Sequence, residues 1–248
     1  MEWNIRHGGC RESYPGIVGS VRRHDPDIVF FVEFRQERII ELSLALASNG
    51  WPYLLSSQPP MNENGILVAS KKPMEVPLRD YAEPNILHRW MEVRPVGSDL
   101  RFLSVQVPTA SDIEGKMKFW EHLLAYARKM IEAKERAVII GDLNTGLDMD
   151  AEGIGFVGSD KFQALMEMGM RDIWREYRQM SREYSWFSHN GNGYRLDHVL
   201  VTPFIGRPMW AKYSHEEREE GLSDHSPLIF DITNLMSEDG AIKSALIR

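Results

Sequence analysis

Seven polar residues, Asn4, Glu33, Asp142, Asn144, Asp197, Asp224 and His225, stand at or beside places where an apolar run gives way to a loop. Carboxylates, carboxamides and one imidazole, with no thiolate cluster, form a hard donor set that suits Mg²⁺ or Mn²⁺ better than zinc. Brought together without a cation, several acids would repel one another and some would stay protonated near neutral pH. A cation removes that conflict, polarises a phosphoryl oxygen and screens a leaving group, so the inventory points to phosphate ester hydrolysis. In Gly141-Asp142-Leu143-Asn144, Leu143 points back to the core, and the period-two geometry puts the carboxylate and the carboxamide on one side of the strand exit. The same residues also fit a plain turn whose Asp and Asn bond their own backbone. Ser223-Asp224-His225 sets an acid beside a base in a loop ending at Pro227, and Asp197 is a charge on a mainly apolar strand that needs a partner. Glu33 reads either as a loop residue facing water or as a carboxylate held at a site.

The elements that must position these groups follow from hydrophobic periodicity. Ala137-Val138-Ile139-Ile140 reads as a strand buried on both faces that stops at Gly141, where the backbone turns. Asn4 sits at the end of a short first strand. A helix is predicted over 15–24, then a strand over 28–32 that delivers Glu33, then a helix over 37–48 with Ile40, Leu44 and Ala47 inward. Strands follow at 53–55 and 65–69, then a hairpin of 87–96 and 100–107 around Gly97-Ser98-Asp99, so the sheet is not purely parallel. The longest helical pattern, 113–133, carries Met117, Trp120, Leu124, Ala127 and Ile131 on one face. Further helices are expected near 160–168 and 172–177, with strands at 184–187, 194–201 and 228–232.

Composition narrows the class. A chain of 248 residues with 43% hydrophobic and 26% charged residues suits one globular domain, 1–248, ending in a polar tail from about 234. A net charge of −7 argues against broad, sequence-independent adhesion to nucleic acid, though a local patch such as Arg22-Arg23 or Lys71-Lys72 can still meet phosphates. The single cysteine, Cys10, excludes an internal disulfide and a cysteine-built zinc site. With no apolar run near the ~20 residues of a membrane span and no signal-like N-terminus, the expectation is a cytoplasmic protein, monomeric by default.

Taken in order, Trp3-Asn4-Ile5, the strand ending in Glu33, Gly141-Asp142-Leu143-Asn144, Arg195-Leu196-Asp197 and Ser223-Asp224-His225 make the chain resemble the endonuclease/exonuclease/phosphatase superfamily, which includes exonuclease III and the abasic-site endonucleases. The resemblance implies an α/β four-layer sandwich, two mixed, mostly antiparallel sheets packed face to face and flanked by helices, with the site at one edge. It implies that Asn4 and Glu33 lie on the metal side and that Asp142 orients or deprotonates the attacking water. Asn144 would hold the phosphate, Asp197 would partner His225, which faces the scissile phosphate, and Asp224 would lie near a second metal position. The implied cofactor is Mg²⁺ or Mn²⁺.

The last third looks closest to the exonuclease III branch, through Asp172-Ile173-Trp174-Arg175, Tyr184-Ser185-Trp186-Phe187 and Gly193-Tyr194-Arg195-Leu196-Asp197. In abasic-site enzymes, aromatics at the positions of Trp186 and Tyr194 line a pocket for a flipped-out sugar; core packing is the other reading. Inositol-polyphosphate phosphatases fit less well, since Tyr194-Arg195-Leu196-Asp197 stands where they carry Cys-Asp-Arg. Two departures bear on substrate. Gln106 stands where abasic-site enzymes have a tyrosine, and a carboxamide can bond a phosphate oxygen but cannot act as a phenolate. The first strand is short of the apolar residues that usually precede Trp-Asn, which suggests a start upstream. The expected activity is a nucleic-acid phosphodiesterase, endo- or exonucleolytic, with a phosphatase or phosphodiesterase of a small or lipid-borne phosphate ester as the alternative.

Overall fold

The structure, a computed structural model, describes residues 1–9, 13–78, 80–206 and 210–232. Cys10 and the polar tail lie outside the described residues. The first half runs β1 (Glu2–Asn4), α1 (Tyr14–His24), β2 (Ile28–Phe34), α2 (Ile39–Ser48), β3 (Tyr53–Ser56), β4 (Gly65–Ser70), β5 (Met74–Glu75), β6 (Trp90–Pro95), β7 (Arg101–Gln106) and α3 (Ile113–Glu132). The second runs β8 (Ala137–Asp142), α4 (Ser159–Glu167), β9 (Arg171–Asp172), α5 (Ile173–Arg178), β10 (Trp186–Phe187), β11 (Gly193–Tyr194), β12 (Asp197–Val201), β13 (Trp210–Tyr213), α6 (Glu216–Glu219) and β14 (Leu228–Asp231).

Two six-stranded sheets result, ordered β13-β14-β1-β2-β4-β3 and β5-β6-β7-β8-β12-β9. Each is antiparallel except for one parallel pair, β1 with β2 and β7 with β8. The strands that read as apolar on both faces are so because each face meets a different layer. Phe30 and Val32 join Ile66, Val68, Val138, Ile140, Val199 and Val201 between the sheets, whereas Val29 and Phe31 turn to the layer of α1 and α2. On the far side, Ala137, Ile139 and Leu200 pack on α3 and α4. This is the expected four-layer α/β sandwich. Among the described residues no helix is long and apolar enough to cross a membrane.

Four local expectations are corrected. In α2 the inward residues are Leu42 and Leu46, flanked by Ile39 and Ala45, while Ile40 and Leu44 are exposed. The run Ile-Ile-Glu-Leu-Ser-Leu-Ala-Leu-Ala offers two apolar stripes, and the phase imposed by the 3-10 turn at Gln36–Arg38 selects the other one. In α3 the face is centred on Phe119, Trp120, Leu123, Tyr126, Ala127 and Met130, with Met117, Leu124 and Ile131 at its flanks. Glu33 does not follow its strand. It sits inside β2, at an irregularity in the pairing with β4 between Val32 and Phe34, with φ +57°. Gly141 likewise does not end β8, and the pairing runs on through Asp142. Gly141 has φ +142°, and a Cβ there would stand 1.9 Å from the Val105 carbonyl oxygen, so glycine is required by the close approach of β7.

Candidate active site

β8 and β12 run antiparallel in the middle of the second sheet, and their register sets Asp142 directly opposite Asp197. Two buried carboxylates on facing positions are unstable neighbours unless something compensates. His225 supplies part of the compensation from the other sheet's side: its Nδ1 lies 2.8 Å from Asp197 Oδ2. The charge on the apolar strand thus has its partner. Asp142, Asp197 and His225 each bring one ligating atom within 4.8 Å of the other two. Asn4, at the end of β1, completes the cluster by donating from Nδ2 to Asp142 Oδ2 at 3.1 Å, with His225 Nε2 3.5 Å away.

The loop that carries His225 is tied to β1. Ser223 Oγ donates to the Asn4 carbonyl at 2.6 Å, His225 N donates to Ser223 Oγ, and Trp3 Nε1 donates to the His225 carbonyl. On the other side, Ser226 N donates to the Ser185 carbonyl and Trp186 bridges to His225, which brings the aromatic hairpin β10–β11 against the site. Trp186 pairs with Tyr194 across that hairpin, its ring 6.4 Å from the imidazole and 5.9 Å from Tyr194. Both rings are partly exposed, and the Trp186 ring stands beside the imidazole. Trp186 Nε1 also donates to Asp224 Oδ2, placing Asp224 at the rim.

Electrostatics follow from this packing. Burial, reinforced by Asp197 and Glu33, pushes the Asp142 carboxyl up to about 7 even though His225 pulls the other way. Burial alone would lower the His225 imidazole, but Asp197 in contact and Asp142 beside it raise it to about 10. The site then presents an imidazolium with Nδ1 engaged and a carboxylate poised near neutrality.

Asn144 leaves β8 with φ +47°, its backbone N–H donating to Asp142 Oδ1 at 2.9 Å. Its carboxamide donates to the Val107 carbonyl and to Asp142 Oδ2. The plain-turn reading of Gly-Asp-x-Asn therefore describes real bonds, and the same bonds aim both side chains at the cluster. Glu33 reaches the site from the first sheet through Gln106, whose Nε2 donates to Glu33 Oε1 at 2.8 Å, while His7 N donates to Oε2. Gln106 ends β7 opposite Asp142 in register and bonds a carboxylate.

The residues fit a hard divalent cation. Asp197 Oδ1, Gln106 Oε1 and both carboxylate oxygens of Glu2 are buried without a hydrogen-bond partner among the described residues. Such orphaned oxygens beside Asp142 are what a metal or its water would satisfy.

Two participants, Glu2 and Lys116, lie outside the motifs, and Arg195 lies within one without an assigned role. Glu2 shares the inward face of β1 with Asn4; burial, then Asp197 and Asp142, push its carboxyl well up and favour the neutral form. Period-two alternation around Trp3 was the available signal. Lys116, on the inner face of α3, is buried and donates from Nζ to the Asn144 carbonyl at 2.6 Å. Arg195, fully buried, is the brace behind Asp197. Its Nε and Nη2 donate to Asp150, Nη2 donates to Asp172 at 2.6 Å, and its guanidinium lies over Trp174. Burial resists ionisation of Asp172, yet Arg195 and His198 hold its carboxyl well below the usual range. This network pins the loop after β8 and the start of α5 to the strand that carries Asp197.

Residues 1–225 match the model of the family described as "Endonuclease/Exonuclease/phosphatase family". No curated protein matches the chain. Among solved structures, it is similar to an AP endonuclease from Archaeoglobus fulgidus, with TM-score 0.79 and 21% identity over 93% of this chain and 98% of that one. It is also similar to the 3'-5' exonuclease NExo from Neisseria meningitidis, with TM-score 0.77, 21% identity and the same coverage. It is similar as well to the 3' phosphatase NExo from Neisseria bound to a product DNA hairpin, with TM-score 0.74 and 21% identity over 93% of this chain and 98% of that one. At that identity the likeness is one of fold.

Proposed function

Starting from the premise that this chain belongs to the endonuclease/exonuclease/phosphatase family, a family of phosphoester hydrolases, we propose that it is a Mg²⁺- or Mn²⁺-dependent phosphodiesterase acting on nucleic acid. The observation that carries the reading is the convergence of Asp142, Asp197 and His225, drawn from two strands of one sheet and a loop tied to the other, with Asn4 beside them. Asn4, Glu33 and Asp224 would hold the metal; Asn4 lies against Asp142, Glu33 bonds Gln106, and Asp224 stands at the rim beside Trp186. When bound, the cation polarises the phosphoryl oxygens and screens the charge that develops on the leaving group.

The remaining work falls to side chains. Asp142, pushed up to about 7, is suited to orient the attacking water and accept its proton. His225 is held by Asp197 at Nδ1, so Nε2 is the nitrogen left to face a phosphate oxygen, and as an imidazolium it donates there. Asn144 can hold the phosphate by exchanging one of the two acceptors its carboxamide now contacts. Trp186 and Tyr194 offer a half-exposed aromatic wall on which a base or sugar can rest. A structural relative bound to a product DNA hairpin supports the choice of nucleic acid. Gln106 bonds Glu33 and sits where it steadies the metal side, a different task from that of a phenol.

A panel of abasic duplex, single-stranded DNA, RNA and simple phosphate mono- and diesters, each with Mg²⁺, Mn²⁺ or EDTA, tests the proposal. Cleavage of a nucleic acid that stops in EDTA and falls steeply with salt is expected, because phosphate contacts release counterions. Hydrolysis confined to monoesters, with shallow salt dependence, would transfer the reading to a small-phosphate phosphatase.

A further inference from the structure

We propose that Lys116 is a positioning residue that locks the Asp142-Leu143-Asn144 turn in the arrangement its chemistry requires; the inference rests on the assignment of Asp142 and Asn144 to the reacting phosphate. Lysine is seldom fully buried unless paired, yet Lys116 is 1% exposed. Among the described residues no carboxylate lies within ion-pair distance of its ammonium. The acceptor it reaches is the main-chain carbonyl of Asn144, 2.6 Å from Nζ.

The geometry explains why a cation sits there. Asn144 is a non-glycine residue in the left-handed region, a conformation that persists only when its surroundings over-determine it. Its N–H is held by Asp142 Oδ1, and its carboxamide by Val107 and Asp142 Oδ2. The left-handed backbone turns its carbonyl toward α3, where Lys116 supplies the remaining tie. That tie comes from a rigid place. Lys116 lies in the first turn of α3, where its own N–H donates to the Asp112 carbonyl and the Asp112 side chain caps Gly115 N at 2.9 Å. A charge-assisted bond to a buried carbonyl is stronger than a neutral one and resists exchange with water. Burial lowers the ammonium to about 8, partly offset by nearby Asp142, so the group remains mostly charged at neutral pH. Without it the Asn144 carbonyl loses its donor, the turn is free to relax, and the carboxylate and carboxamide that share the turn move together. Lys116 touches no reacting atom in this scheme; it acts through Asn144.

Lys116→Met, which keeps most of the apolar stem and removes the donor, is compared with Lys116→Arg, which retains a charged donor, on whichever panel substrate turns over fastest with Mn²⁺. We expect Lys116→Met to lower kcat about 10- to 100-fold with KM within about threefold, and Lys116→Arg to recover most of kcat. In an Asn144→Ala background, which keeps the main-chain carbonyl but removes the carboxamide that the turn positions, the Lys116→Met loss should be smaller than in the wild type and retain only the part that acts through Asp142. A second readout needs no metal: the Asn144 side-chain amide signals in NMR spectra of metal-free protein should shift in Lys116→Met and return in Lys116→Arg. If Lys116→Met does not fold, Lys116→Gln, a neutral donor one atom shorter than lysine, is expected to lower kcat as well, with the same dependence on Asn144. An unchanged kcat, or a loss equally large with and without Asn144, overturns the inference while leaving the site assignment intact. If Asn144→Ala itself leaves kcat unchanged, the assignment of the site fails first, and the inference with it.

Discussion

Replacing Asp197 by Asn keeps the shape of the side chain and removes its charge, and the structure sizes the consequence. Asp197 Oδ2 lies 2.8 Å from His225 Nδ1, both side chains are buried, and the imidazole is raised from 6.5 to about 10. That rise corresponds to roughly 5 kcal/mol in favour of the imidazolium, with Asp197 contributing ahead of Asp142 and Asp224. Asparagine can still accept from Nδ1–H but cannot supply the field. In metal-free Asp197→Asn, followed by NMR of the histidine rings, the His225 titration should fall by ~1–3 pH units. The linkage has a definite sign. Because the folded value lies above the unfolded one, the pair's contribution to stability is full below pH 6.5 and is lost as pH rises toward about 10. The stability gap between wild type and variant, measured in urea with EDTA, should therefore be widest below pH 6.5 and narrow above it. Turnover should drop by about 10²- to 10⁴-fold, the scale for a positioned acid–base group. Adding His225→Ala to Asp197→Asn should cost little beyond the worse single change, since the two act as a unit. An unshifted titration, or losses that multiply in the double variant, would refute the pairing as the source of the effect.

Glu33→Gln should demand a several-fold higher metal concentration for half-maximal rate, because a neutral amide is a poorer ligand for a hard cation; a metal titration of both proteins checks this, and full activity of wild type in EDTA would remove the metal from the scheme. Trp186→Ala should raise KM for a nucleic acid by roughly 5- to 100-fold, equivalent to ~1–3 kcal/mol of stacking, while leaving an aryl phosphodiester nearly untouched; equal losses on both would make the ring a structural prop. Asp172→Asn should destabilise the fold by about 3–5 kcal/mol at neutral pH by leaving Arg195 short of a buried partner. Since the Asp172 carboxyl is held well below its ordinary 3.8, the gap to wild type should persist down to about that pH and close only as pH falls further toward the folded value, as a urea series carried from pH 7 down to about pH 2 will show. Gly141→Ala should cost roughly 2 kcal/mol or more by forcing β7 away from β8, read as a lower melting temperature, and a neutral effect would mean that the close approach to Val105 is absent.

The sequence by itself determined the layers, because a strand such as 28–32 that is apolar at every position has to be covered on both faces, and helices of mixed polarity are available to cover it. It determined the polar inventory and the local pairing of Asp142 with Asn144, which period-two geometry imposes on neighbours two residues apart. The phase of α2 was beyond it, since two apolar stripes in one run differ only in what lies beneath them, and so was the bulge that turns Glu33 toward Gln106. The meeting of Asp142 with Asp197 depends on the β8–β12 register, and that of Asp197 with His225 on how one sheet's loop reaches the other sheet's strand. Such long-range distances are set by packing of the whole sandwich. Lys116, Glu2 and Arg195 show the same limit from the other direction: each is a charged residue whose type predicts exposure, and only tertiary structure supplies the carbonyl, the carboxylate cluster or the paired aspartates that explain its burial.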